Sequence, residues 1–249
     1  PGAGFAAQDV TAPVPSPAPD RSPTYQADAA PEGALRVPGD PPAVGDVIVE
    51  DALAGPGLLP GGRPSCPSEK NLSEFVGEGY IIKIHGRCRP ENTQAAMNIW
   101  PPVSGLVIPD GEIRLEAKVV SGGDRTALWI MFRGQTDPRQ EYLLAVTPGR
   151  GWAYVYKNGF GTTPALAGRS DLGSRYAPDD WNEYAIRLAG PNIWVLLNGY
   201  LILSASDAAL DQGWLTFGAR RLGDVEDNVE AAVVPRNLRI SRLVPASSQ

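Results

Sequence analysis

At 249 residues, with 22 Lys+Arg against 28 Asp+Glu and a formal net charge of -6, the chain has room for one large all-β domain with an extension. It has no basic stripe with interleaved aromatics of the kind that tracks a phosphate backbone, so neither nucleic acid nor an anionic membrane surface is an expected partner. No apolar run approaches the ~20 residues of a membrane-spanning helix, and the excess of Arg over Lys amid abundant Ala, Gly and Pro reads as the codon bias of a GC-rich genome.

The first residues, Pro1-Gly2-Ala3-Gly4-Phe5-Ala6-Ala7-Gln8, resemble the end of a secretory signal, with small residues leading to a cut after Ala6 or Ala7. Export to the periplasm or beyond is the expectation. Residues 1 to 44 form a proline-rich arm. Between Val10 and Pro23, Pro13, Pro15, Pro17 and Pro19 alternate with small residues, and each lacks the N–H that a helix or a central strand needs. Polyproline II or coil is predicted. Alone in water such a segment buries too little apolar surface to offset its ordering entropy, so the arm is expected to order along other protein subunits and tether the domain to them.

Asp46-Val47-Ile48-Val49-Glu50 reads as a first strand, and Ala54 to Pro64 as a Gly- and Pro-rich loop. Cys66 and Cys88, the chain's two cysteines, flank a strand over Gly79 to Ile84, at a separation that neighbouring antiparallel strands can bridge. A disulfide closing this ~20-residue loop contributes about 3 kcal/mol; two unpaired structural thiols are the alternative. The single histidine, His85, ends that strand before Gly86. Without a G-x-S-x-G elbow it supports no catalytic triad and reads as a surface or capping residue. Two Cys and one His at these spacings match no zinc site. Trp100, beside Pro101-Pro102, is a candidate surface contact on a loop.

Glu112-Ile113-Arg114-Leu115-Glu116 places Glu112, Arg114 and Glu116 on one face of a strand. Glycoside hydrolysis needs two carboxyl groups ~5 to 9.5 Å apart, whereas two glutamates four residues apart on a strand lie ~13 Å from each other. The reading is a solvated face of Glu–Arg–Glu pairs. Trp152, Tyr154 and Tyr156 also share a strand face. They are either core aromatics or a flat platform for sugar rings or a protein partner. Phe160, between Gly159 and Gly161, is a second candidate loop contact. Asp179-Asp180 and Asp224-Val225-Glu226-Asp227 are acidic loops without the spacing of a calcium loop, and turn roles are expected.

Trp181 to Leu203 reads as three antiparallel strands. Tyr184, Ile186 and Leu188 alternate with polar or small residues, Ile193, Val195 and Leu197 do so again, and Asn198-Gly199 supplies the type I′ turn before Leu201 and Leu203 resume the pattern. Asp207 to Gln212 is predicted as one short helical turn.

These last strands, followed by Gly213-Trp214-Leu215-Thr216-Phe217-Gly218-Ala219 and Val234 to Ser241, resemble the second half of a concanavalin A-like (laminin-G-like) jelly roll of the bacterial 3-keto-disaccharide hydrolase, or family 16 glycoside hydrolase-like, type. Upstream, Gly79 to Ile84, Ile113 to Gly122, Ala127 to Arg133 and Glu141 to Val146 are similar to that family's earlier strand motifs. The resemblance covers residues 45 to 243, leaves a tail over 244 to 249, and implies an all-β sandwich of two antiparallel sheets. Such domains serve as hydrolases, as sugar binders and as extracellular sensor portions of bacterial kinases, so the fold does not assign the task. Family 16 enzymes carry their carboxylates as E-x-D-x-E, and Arg114 stands where the middle acid would be. No catalytic residue, metal or cofactor is expected. The expectation is a non-catalytic, exported accessory or scaffolding subunit of an envelope-associated assembly, with a carbohydrate-binding module as the alternative and a glycoside hydrolase-like enzyme third.

Overall fold

The computed structural model describes residues 39–55, 72–85, 97–99, 106–157, 165–169, 171–222 and 230–244. These form strands β1 (Val44–Asp51), β2 (Leu72–Val76), β3 (Gly79–His85), β4 (Met97–Ile99), β5 (Gly111–Ser121), β6 (Thr126–Thr136) and β7 (Arg139–Thr147), followed by β8 (Trp152–Lys157), β9 (Ala167–Arg169), β10 (Asn182–Ala189), β11 (Asn192–Leu197), β12 (Tyr200–Ser206), β13 (Trp214–Arg221) and β14 (Glu230–Leu243). One sheet runs β12-β11-β10-β5-β14-β3-β2, with β1 also paired to β14; the other runs β4-β13-β6-β7-β8-β9. All the pairings are antiparallel.

Alternation places one side of each strand between the sheets. Ile113 and Leu115 of β5, Tyr184 and Ile186 of β10 and Val195 of β11 meet Leu128, Ile130 and Phe132 of β6 in one apolar core. Each such side chain contributes about 1.5–3 kcal/mol when fully removed from water. The β11–β12 turn has the expected backbone, with Asn198 at φ 49° and Gly199 at φ 80°. Beyond it the predicted alternation fails: Val195 pairs with Leu203 but Leu196 pairs with Leu201. The extra residue, Ile202, is a β-bulge that turns Leu201 outward, so Leu201 is 42% exposed and Leu203 5%. The short helical turn predicted over Asp207 to Gln212 is absent. There the Asp207 carboxylate accepts the backbone N–H of Ala209 at 2.8 Å and the Tyr142 hydroxyl at 2.6 Å, and a side chain bonded this way replaces helical backbone bonds with a local turn.

A second bulge, in β6, carries Arg133 at φ 49°. Its guanidinium is fully buried and acts as a clasp. Nη1 donates to the carbonyls of Gly190 (2.8 Å) and Leu210 (3.1 Å), and Nη2 donates to Asp110 Oδ1 (2.8 Å). The six-stranded sheet is thereby tied to the β10–β11 turn and the β12–β13 connection.

Candidate functional site

Outward-facing residues of the six-stranded sheet are aromatic and small in alternation. One cross-strand row reads Gly218, Trp129, Ala145, Tyr154, Gly168; the next reads Thr216, Met131, Leu143, Tyr156. The small neighbours leave room for the rings. A Cβ on Gly168 would fall 2.5 Å from Tyr154 ring carbons, and one on Gly134 would run into the Trp214 indole. Trp129, Met131 and Leu143 pack as a buried cluster with Tyr156 and Trp214 against it. Trp152, Tyr154 and Tyr156 are half-buried and lie on the face of β8 opposite Ala153 and Val155, which join the core between the sheets, while Tyr156 also packs against the second buried cluster.

Tyr154 and Tyr156 have centroids 5.9 Å apart at 33°, and Trp152 meets Tyr154 edge-on at 6.5 Å. Guanidinium groups border the pavement, with Arg150 5.0 Å from the Trp152 ring centre and Arg220 5.0 Å from that of Trp129. Glu141 begins the same face on β7 and is 7% exposed. Its Oε2 has no hydrogen-bond partner, its nearest ion-pair contact being Arg139 Nε at 3.5 Å.

The outer face of the eight-stranded sheet differs in chemistry. Glu112, Arg114 and Glu116 point outward as the alternation predicts and each is engaged, but the face is not solvated throughout as expected: Glu112 is 1% exposed, enclosed by the arginines that bind it. Arg114 Nε and Arg187 Nε donate to the two oxygens of Glu112 at 2.8 and 2.7 Å, Arg114 Nη1 reaches Glu183 at 3.0 Å, and Arg236 Nε reaches Glu116 at 2.7 Å. Arg236 also lies 3.6 Å from the Trp181 ring centre. Burial works against the charge of Glu112, but hydrogen bonds from Arg114 and Arg187 outweigh it and hold the carboxyl below its ordinary pKa. A carboxylate so held cannot deliver a proton as a general acid. A groove of about 460 Å³ beside β1, lined by Glu50, Arg114, Glu183 and Arg239, presents these same paired charges.

Cys66, Cys88, Trp100, Phe160 and Asp224 to Asp227 lie outside the described residues, as does the arm before Gly39. Among the described residues no three His, Cys, Asp or Glu side chains cluster as metal ligands. Asp179 adopts φ 61° and Asp180 Oδ1 accepts the Trp181 N–H at 2.7 Å, which are turn roles. Trp129, Trp214 and Glu141 escaped the sequence reading. The signal for Trp129 was available: period two in Ala127 to Arg133 sets Trp129 and Met131 opposite Leu128, Ile130 and Phe132.

No family model and no curated protein matches the chain. Solved structures do. The carbohydrate-binding module CBM66 from Bacillus subtilis aligns at 16% identity over 72% of this chain and 94% of its own, with a TM-score of 0.50. A Bacillus subtilis protein of unknown function with a galectin-like fold aligns at 13% over 82% and 100%, TM-score 0.57. The laminarinase catalytic domain of Thermotoga maritima MSB8 aligns at 11% over 80% and 98%, TM-score 0.59. The fold is a concanavalin A-like jelly roll. At such identities the likeness is one of fold, and this jelly roll is shared by binding modules and hydrolases alike. No helix among the described residues is long and apolar enough to cross a membrane.

Proposed function

We propose that this jelly roll is an exported, non-catalytic carbohydrate-binding domain whose ligand lies on the outer face of the six-stranded sheet. The carrying observation is the row of Trp152, Tyr154 and Tyr156 on the outside of the sheet, beside the Trp129–Trp214 cluster, with Gly168 leaving room for the Tyr154 ring. Pyranose and furanose rings have apolar C–H faces that stack on such aromatics, while guanidinium and carboxylate groups at the border meet the hydroxyls. The carbohydrate-binding likeness among the structural neighbours supports this reading. Catalysis is not supported, because along β7 the residues sharing the face of Glu141 are Leu143 and Ala145, and Glu112 and Glu116 are held by arginines on the other sheet.

Retention on a panel of neutral polysaccharides in native affinity electrophoresis tests the proposal. Trp152→Ala and Tyr154→Ala should each weaken the interaction ~10-fold or more, the effect of removing a stacking anchor. A folded wild-type chain retained by no polysaccharide overturns it.

A second reading, an accessory subunit held by other proteins through residues 1 to 44, is supported by the proline-rich composition of that arm. The exposed β11–β12 hairpin apex, with Tyr200 61% and Leu201 42% accessible, supports it as well. Co-purification of full-length and arm-deleted chains from an extracellular fraction separates this reading from the first.

A further inference from the structure

On the outer face of the six-stranded sheet, one row lies apart from the aromatic strand β8. The β6 bulge sets two residues, Arg133 and Gly134, opposite Glu141, because Phe132 pairs with Tyr142 and Gln135 with Gln140. Arg133 turns inward to its buried clasp. Gly134 is left to the outer face, and on its other side it pairs with Trp214 of β13. Trp214, Gly134 and Glu141 are thus successive neighbours across β13, β6 and β7.

A Cβ on Gly134 would meet Cδ2, Cε2 and Cε3 of the Trp214 indole together. Those atoms sit in the middle of the bicycle, so the indole lies across the Gly134 Cα and turns its opposite π-face away from the sheet. A Cβ on Gly213 would strike the backbone of Arg133 and Gly134, and this close approach seats the start of β13 on the bulge. Trp214 is half-buried. Across Gly134 from it, Glu141 is 7% exposed, its side chain 10%, and Oε2 is buried with no hydrogen-bond partner. A buried acceptor without a donor is costly. The counter-charge is already at hand in Arg139, whose Nε lies 3.5 Å from Oε2, so what the carboxylate lacks is a neutral donor.

We propose that Trp214 and Glu141 form an end subsite that takes a neutral sugar ring, stacked on the indole and donating a hydroxyl to the Glu141 carboxylate. The subsite rests on the carbohydrate reading of the same face. The apolar C–H side of the ring covers the outward π-face. The last torsion of a glutamate is broad, so the carboxyl turns within its place to present an oxygen to the hydroxyl while Arg139 balances its charge. Trp214 on β13 and Tyr156 on β8 are three strand spacings apart, ~14 Å, more than one sugar ring spans. The ligand is accordingly a chain of several sugar residues that crosses the strands, stacked on β8 toward one end and on Trp214 at the other. Glu141 is the sole carboxylate of β6, β7 and β13; it orients the sugar and has no second carboxyl with which to hydrolyse it.

Binding of the full chain to a neutral polysaccharide that retains the wild type, and to the same polymer after O-methylation, tests the subsite. Trp214→Ala and Glu141→Gln should each weaken binding to the native polymer ~10-fold while the cooperative melt persists. Methylation removes the donated hydroxyl, so the wild type should prefer the native polymer, and Glu141→Gln should lose ~10-fold of that preference. If Glu141→Gln does not fold, Glu141→Asp, which draws the carboxylate back, takes its place. Unchanged affinity in the Trp214 or Glu141 variant, where Trp152→Ala and Tyr154→Ala do weaken binding, overturns the subsite and leaves the wider carbohydrate reading standing. A Glu141 variant weakened equally toward both polymers also overturns it, since the carboxylate would then only support the fold. A wild type retained by no polysaccharide overturns both.

Discussion

Arg187 and Glu112 face each other across the β10–β5 pair, Nε to Oε2 at 2.7 Å, and the carboxylate they share with Arg114 is 1% exposed. Ionised Glu112 is therefore part of the fold's stability. Its carboxyl is held below the ordinary value near 4.5, so its contribution is fully present above that pH and is lost as pH falls through the lower, folded-state value. Thermal melts from pH 7 down to pH 3 should show the wild type losing stability on acidification more steeply than Glu112→Gln, which should already be weaker by about 2 kcal/mol at pH 7. Parallel pH profiles for the two proteins would contradict this role.

The clasp at Arg133 gives a second prediction. Three hydrogen bonds from one fully buried guanidinium bind the β6 bulge to Gly190, Leu210 and Asp110. Arg133→Lys keeps the charge but loses the fork, and it should lower the unfolding free energy by about 3 kcal/mol in urea, close to the effect of Arg133→Met. Full rescue by lysine would show that charge alone matters there.

The room that Gly168 leaves for the Tyr154 ring is testable. Gly168→Ala places a Cβ against the Tyr154 ring and should tilt the ring, reducing polysaccharide affinity ~10-fold at a stability cost of only ~1–3 kcal/mol. Equal affinity with a displaced Tyr154 would remove that ring from the binding surface.

Cys66 and Cys88 are predicted to be joined. Intact mass after alkylation, with and without reductant, should show no alkylated thiol in the unreduced protein and two after reduction. Two reactive thiols in the unreduced protein would establish the alternative.

The sandwich was legible because its strands are amphipathic: Tyr184, Ile186 and Leu188 announce an inward face, and Asn198-Gly199 admits few turns other than the one found. Glu112, Arg114 and Glu116 were equally readable, since a charged alternation with an intervening arginine has no use between sheets. What the alternation could not reveal was the direction of strands that are apolar on both faces. Trp129 and Leu143 face outward beside Leu128 and Leu144, which face inward, and hydrophobicity does not distinguish them. Ile202 and Arg133 were hidden for another reason: a bulge adds one residue to the count of two, and no residue type marks it. Glu141 is 7% exposed, and nothing in its own sequence surroundings announces that burial.

β14 is held on one edge by β5 and on the other by β3 over its first residues and by β1 over its last, and Val44 at the start of β1 pairs with Leu243 at the end of β14. Val44 and Leu243 therefore sit side by side at one corner of the sheet. Tension applied through those two flanks would meet the β1–β14 hydrogen bonds one after another, as a zipper is opened, instead of shearing them together. Under such a pull the domain yields first at β1, with Pro42, two residues before that strand, held at Arg187 on the outer face.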